Sequence, residues 1–139
     1  MKRCLVIIPT FNEADNLPRL LPIILSLGSH FNILIVDDNS PDGTAKLVKE
    51  MQKTEQRIHL IERPGKMGLG TAYVAGFKFA LANGFDYIFE MDADFSHDPA
   101  ELPRLLAKAE EYDLVIGSRY IEGVNVVNWP MKRLLLSYF

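Results

Sequence analysis

Five short apolar runs recur along the chain: "CLVIIP" at 4–9, "FNILIVDD" at 31–38, "IHLIER" at 58–63, "DYIFEMD" at 86–92 and "DLVIGS" at 113–118. Each is mostly β-branched or aromatic and apolar on both faces, which is how buried parallel strands read. Helical periodicity fills the gaps. Leu17, Leu20, Leu21 and Ile24 stand at i, i+3, i+4 and i+7, the stripe of a helix lying on a sheet. Residues 44–53 and 70–83 follow the same logic. Ahead of a fourth helix, Asp98 is placed as N-cap, Pro99 as first helical residue and Glu101 as the N3 member of a capping box. The alternation β-α-β-α-β-α-β-α-β predicts an α/β fold, an open doubly wound, mostly parallel sheet with helices on both faces.

Ligands of such sheets bind beyond the carboxyl ends of the strands. The polar clusters fall there: "PTFNE", "DDNSPDG", "RPGKMGLG", "DADFSHDP" and "SRY" each follow one apolar run. Five distant loops thus converge on one rim.

The balance of 15 basic and 18 acidic residues gives a net charge of -3, no general attraction for nucleic acid or an anionic surface. With one cysteine, Cys4, an intrachain disulfide and a thiolate cluster are excluded, and an intracellular setting is the default. No apolar segment reaches the roughly 18 residues that span a bilayer. The C-terminal "WPMKRLLLSYF" reads as the start of an amphipathic pattern whose covering surface is missing, so residues 1–139 are expected to be one domain truncated at the C-terminus.

Against that charge balance, "FEMDADFSHDP" crowds Glu90, Asp92, Asp94 and Asp98 together. Like charges repel unless something neutralises them. Asp92 and Asp94, two apart on a segment leaving a strand, face one way and suit a hard divalent cation; Asp98 is accounted for by capping, and Glu90 is read as out of phase with the aspartates. Of Asp37 and Asp38, one is expected to meet a ribose or base, while Asp42 and Gly43 shape the turn. A receiver-like signalling domain also clusters acids at such a rim. Gly68 and Gly70 are best read as a tight turn before a helix, Lys66 as solvated, and His97 as a structural hydrogen-bonding residue. Arg119 follows the fifth strand and suits phosphate.

Together, "VIIPTFNE", "IVDDNSPDGT", "GLGTAYVAGF", "FEMDADFSHDP", "LVIGSRY" and "NWPMKR" resemble the polyprenol-phosphate mannosyltransferases, the dolichol-phosphate mannose synthase type of inverting GT-A glycosyltransferases of family 2. The resemblance runs from residue 5 to about 134. It implies GDP-mannose as donor, a polyprenyl or dolichyl monophosphate as acceptor, inversion at the anomeric carbon and a Mg²⁺ or Mn²⁺ cofactor. Residue by residue it implies nucleotide-sugar binding by Pro9, Phe11, Glu13, Val36, Asp38, Asp92, Ala93, Asp94 and Arg119. It also implies metal ligation by Asp92, Asp94 and the position of Ser96, where some members have Gln. Acceptor phosphate falls to Arg119 and Arg133, and the catalytic centre to Asp94 and Arg119.

The acceptor phosphate is already an anion, so no proton-abstracting residue is nominated. The complete enzyme is expected at the cytoplasmic face of a membrane as a peripheral protein, and the exposed "LLLSYF" is a candidate surface for self-association or for a separately encoded remainder. The alternatives are transfer of another sugar, glucose or N-acetylglucosamine, to the same kind of acceptor, and a truncated non-catalytic nucleotide-binding module.

Overall fold

The computed structural model describes residues 2–111, together with the backbone of 114–118, 124–126 and 133–138. The strands are β1 (Cys4–Thr10), β2 (Phe31–Asp37), β3 (Ile58–Glu62), β4 (Tyr87–Glu90), β5 (Leu114–Ser118), β6 (Val124–Val126) and β7 (Arg133–Tyr138). The helices are α1 (Leu17–Ser26), α2 (Thr44–Gln52), α3 (Leu69–Ala82) and α4 (Leu102–Ala109), the last led in by a 3-10 turn over Pro99–Glu101. One seven-stranded sheet runs β3-β2-β1-β4-β7-β5-β6, parallel throughout except for the antiparallel β5–β6 pair.

Two cores sandwich the sheet, as strands apolar on both faces require. On one side Cys4, Val6, Ile8, Phe31, Ile33 and Phe89 pack against Leu17, Leu20, Leu21 and Ile24 of α1, Val48 of α2 and Leu102 and Leu105 of α4. On the other, Leu5, Ile7, Leu34, Val36 and Ile88 pack against Ala72 and Ala80 of α3. The helix comes very close there: a Cβ on Gly76 would lie 2.5 Å from Ile7 Cδ1. Among the described residues no helix is long and apolar enough to cross a membrane.

Two expectations are corrected. Residues 133–138 are not an amphipathic pattern left at an exposed end: they form β7, hydrogen-bonded between β4 and β5. The backbone of "LLLSY" is therefore inside the sheet rather than a free docking edge. The capping box is half made. Asp98 Oδ1 accepts from Ala100 N–H at 2.9 Å, but Glu101 turns to Arg104 instead of reaching back.

Candidate active site

The loops after β1 and β2 are stitched together by short polar side chains. Thr10 Oγ1 donates to Asp37 Oδ1 at 2.8 Å, and Ser40 donates to the same carboxylate through N–H at 3.1 Å and Oγ at 2.7 Å. Asp37 is thereby used up inside, 1 % exposed. Asp42 accepts from Ala14 N–H and Thr44 N–H, each at 3.0 Å, and Glu13 N–H donates to Thr44 Oγ1 at 3.1 Å. The turn role expected of Asp42 is the one the geometry shows, and Asp38 is left as the aspartate turned toward the rim.

Asp38 meets a partner that sequence reasoning missed. Arg63, first residue after β3, grips it with both arms: Nε to Oδ1 at 2.6 Å and Nη2 to Oδ2 at 2.8 Å. The two side chains are 9% and 13% exposed. The guanidinium also donates to Thr71 Oγ1 at 2.8 Å, tying β2 and β3 to the first turn of α3. Its pKa is raised further by the hydrogen bonds to Asp38. A forked guanidinium fixes the plane of a carboxylate as well as its charge.

Beside this pair opens a cavity of about 220 Å³ lined by Pro9, Phe11, Asp38, Lys66, Gly68 and Leu69, among others. Lys66 Nζ sits 4.1 Å from the centre of the Phe11 ring, a cation–π contact at the mouth. Gly68, at φ 95, takes a backbone conformation that side-chain-bearing residues rarely adopt, which turns the loop into α3. Of the predicted nucleotide-binding set, Pro9, Phe11 and Asp38 line this cavity. Glu13 and Val36 do not. The Glu13 carboxylate accepts from Asn16 Nδ2 at 2.8 Å, and Val36 is fully buried beneath α3.

The loop after β4 returns on itself. Asp92 N–H donates to His97 Nδ1 at 3.0 Å, so Nε2 carries the proton of the neutral ring; it lies 3.9 Å from Asp92 Oδ2. Burial lowers the His97 pKa, with Asp92 and Asp94 opposing the shift. Ser96 N–H donates to Asp94 Oδ1 at 3.0 Å, and Ser96 Oγ is 3.5 Å from Asp92 Oδ2. Hydrogen bonds from Ser96 hold Asp94 below the usual carboxylate range. The reversal occurs at Phe95, whose φ of 63 is costly for a bulky residue. Core packing and the Arg19 guanidinium, 5.0 Å from its ring, keep it there. Ala93 is buried in the core, leaving its backbone as its contribution to the rim.

Glu90 is in phase with Asp92, not out of phase. Ile88 packs on the α3 side and Phe89, Met91 and Ala93 on the opposite one, so alternation turns Glu90 and Asp92 toward the α3 side. Burial, then the Asp92 charge, pushes Glu90 up to about 7. Because β1 and β4 are parallel neighbours, with Met91 N–H donating to Ile7 O at 3.1 Å, the loop that carries Asp92 and the Pro9–Phe11 wall of the cavity leave the sheet side by side.

Asp92, Asp94 and Ser96 form an oxygen-only donor set suited to a hard divalent cation. Among the described residues no three His, Cys, Asp or Glu side chains come together as a metal cage. The fit is to an ion that keeps further positions for water and phosphate oxygens. Arg119 lies outside the described residues. Arg133 is placed by its backbone opposite Tyr87, at the amino end of β4, whereas the rim lies beyond Glu90. That placement gives no support to a role for Arg133 at an acceptor phosphate on the rim.

The sheet order and the acidic rim define a GT-A glycosyltransferase fold. The description "Glycosyl transferase family 2" matches residues 5–139, and the chain belongs to that family. It is 49% identical over 138 residues to a polyprenol monophosphomannose synthase of Mycolicibacterium smegmatis, covering 98% of this chain and 52% of that protein. It is 45% identical over 136 residues to an undecaprenyl-phosphate mannosyltransferase of Micrococcus luteus, covering 98% of this chain and 56% of the other. The chain thus spans about half the length of these relatives.

Among solved structures, a mannosyltransferase of Pyrobaculum calidifontis in complex with GDP-Man and Mn²⁺ shares 28% identity at a TM-score of 0.52, over 56% of this chain and 24% of that one. S. aureus TarS 1-349 shares the fold at a TM-score of 0.67 and 23% identity, over 93% of this chain and 38% of that one.

Proposed function

We propose that this chain is the donor-binding core of a polyprenyl-phosphate mannosyltransferase. Its reaction passes mannose from GDP-mannose to a polyprenyl or dolichyl monophosphate with inversion. The observation that carries the reading is that two subsites follow the neighbouring strands β1 and β4: the cavity of Phe11 and the Arg63-gripped Asp38, and the Asp92–Asp94–Ser96 oxygens. The identity to two relatives named for mannose transfer to a polyprenyl phosphate supports the substrate class.

In this reading the guanine nucleoside enters the cavity, Phe11 against the base and Asp38 as hydrogen-bond acceptor. Asp92 and Asp94, with Ser96 beside them, hold Mg²⁺ or Mn²⁺. The ion, when bound, neutralises the diphosphate that departs as the sugar leaves. A phosphate oxygen of the acceptor attacks the anomeric carbon from the opposite face, forming the new C–O bond as the bond to the diphosphate breaks. The attacking group is already ionised, so positioning matters more than proton removal. Arg119, following β5, is proposed to hold donor or acceptor phosphate. Work on a membrane lipid makes the complete protein peripheral at the cytoplasmic face.

The test is calorimetric titration with GDP-mannose and UDP-glucose, each with and without Mg²⁺ or Mn²⁺, on the parent chain and on Asp92→Asn/Asp94→Asn. Cation-dependent binding of GDP-mannose alone, lost in the double variant, is the expected result. Absence of nucleotide binding by a folded parent refutes the proposal, and preference for UDP-glucose moves it to another sugar.

A further inference from the structure

Helix α3 shows an apolar stripe to solvent. Its residues Val74, Lys78 and Leu81, at i, i+4 and i+7, lie on one outward stripe. Val74 and Leu81 are each 48% exposed, and the partly buried Phe77 flanks them. At the amino-terminal tip, Met67 and Leu69 are exposed by 55% and 58%. By contrast, α2 turns Lys46, Lys49, Glu50 and Lys53 outward, as a helix on an ordinary solvated face does.

The charge pattern is as one-sided as the apolar pattern. No Asp or Glu occurs from residue 63 through 85 in a chain with 18 of them, while the exposed Lys66 and Lys78 fall there; Arg63, also in this segment, is sheltered against Asp38 and adds nothing to the outer face. Of the flanking acids, Glu62 pairs with Lys49 of α2, and Asp86 is held by the backbone N–H of Arg3 beyond the carboxyl end of the helix.

We propose that the outer face of α3, with its Met67–Leu69 tip, docks on an anionic lipid bilayer. Val74 and Leu81 enter the boundary between headgroups and acyl chains, and Lys78 extends its apolar stem beside them to keep its ammonium among anionic headgroups. A second copy of the chain fits the face less well. Two-fold docking on this stripe would bring Lys78 close to its own mate. The inference stands on the α3 surface and does not depend on which sugar the rim binds. Because Leu69 and Gly68 also line the cavity, such docking would bring its mouth to the lipid surface.

The experiment is co-sedimentation of the chain with vesicles of phosphatidylcholine alone and of phosphatidylcholine mixed with phosphatidylglycerol. The parent is expected to sediment with the mixed vesicles and to be released by high salt. Val74→Glu/Leu81→Glu should weaken that binding by ~tenfold or more. Ile23→Glu, at an exposed apolar position of α1 on the opposite side of the sheet, should leave it unchanged. Far-UV circular dichroism and GDP-mannose titration of the same proteins report separately on folding and on the donor site. No vesicle binding by the parent, equal binding by the double variant, or equal loss in Ile23→Glu overturns the proposal. So does a parent dimer in sedimentation velocity that the double variant dissolves without any vesicle binding.

Discussion

Replacing Arg63 by Met should damage the protein more than removal of a surface charge can. The Asp38 carboxylate is 13% exposed and held by two short hydrogen bonds from one guanidinium. Removing one partner of so sheltered a pair strands the other, at a cost of about 3–5 kcal/mol. With 139 residues and an unfolding entropy of roughly 2.1 cal/mol/K per residue, the melting temperature should fall by roughly 10–17 °C. Asp38→Asn/Arg63→Met removes the stranded charge. It should therefore lose less than the two single variants summed, by about 1.5–3 kcal/mol. Arg63→Lys keeps the charge without the fork and should fall between parent and Met. Urea denaturation of the four proteins of the cycle measures the coupling, and GDP-mannose titration measures the site. A coupling below about 0.5 kcal/mol would mean that water, rather than the guanidinium, satisfies Asp38, and the positioning argument would fail.

Glu90 gives a pH signature. In cation-free buffer the folded chain holds a proton up to about pH 7 that the unfolded chain releases near 4.5. The folded state binds more protons in that window, so this group makes stability fall as pH rises through it, by roughly 3 kcal/mol. Glu90→Gln should remove that slope from the pH profile of denaturant unfolding, and an unaltered slope would refute the assignment. Gly76→Ala should destabilise by about 1–3 kcal/mol because its Cβ meets Ile7, with Ile7→Val restoring part in thermal melts. Asp98→Ala, which loses the bond from Ala100 N–H, should cost about 1 kcal/mol and leave GDP-mannose affinity unchanged.

The first five strands and the helices between them were legible because apolar period and turn residues agree at each of them. Leu17, Leu20, Leu21 and Ile24, for instance, are all fully buried. The terminal strand was not. "RLLLSY" is a short apolar run of the kind periodicity cannot assign to strand or helix, and its neighbours in the sheet are remote in sequence. At the rim, residue type and strand end pointed to Asp38 and Asp92. Arg63 carried the same signal, a charged residue immediately after an apolar run, but its meaning depends on a carboxylate 25 positions away. The facing of Glu90 was within reach of simple alternation, since positions 90 and 92 share a parity. Val36, matched by resemblance, has its side chain in the core, which leaves only its backbone to serve the rim.

The insertion of β7 between β4 and β5 has a consequence for the order in which the chain can be completed. Until residues 133–138 emerge from the ribosome, the β5–β6 ribbon has no neighbour in the sheet to join, and β4 presents an unpaired edge. The β1–β4 half can mature early, whereas β5 and β6 join the sheet only through β7. Nascent chains stalled before that point would expose a sticky parallel edge and be the forms most in need of a chaperone.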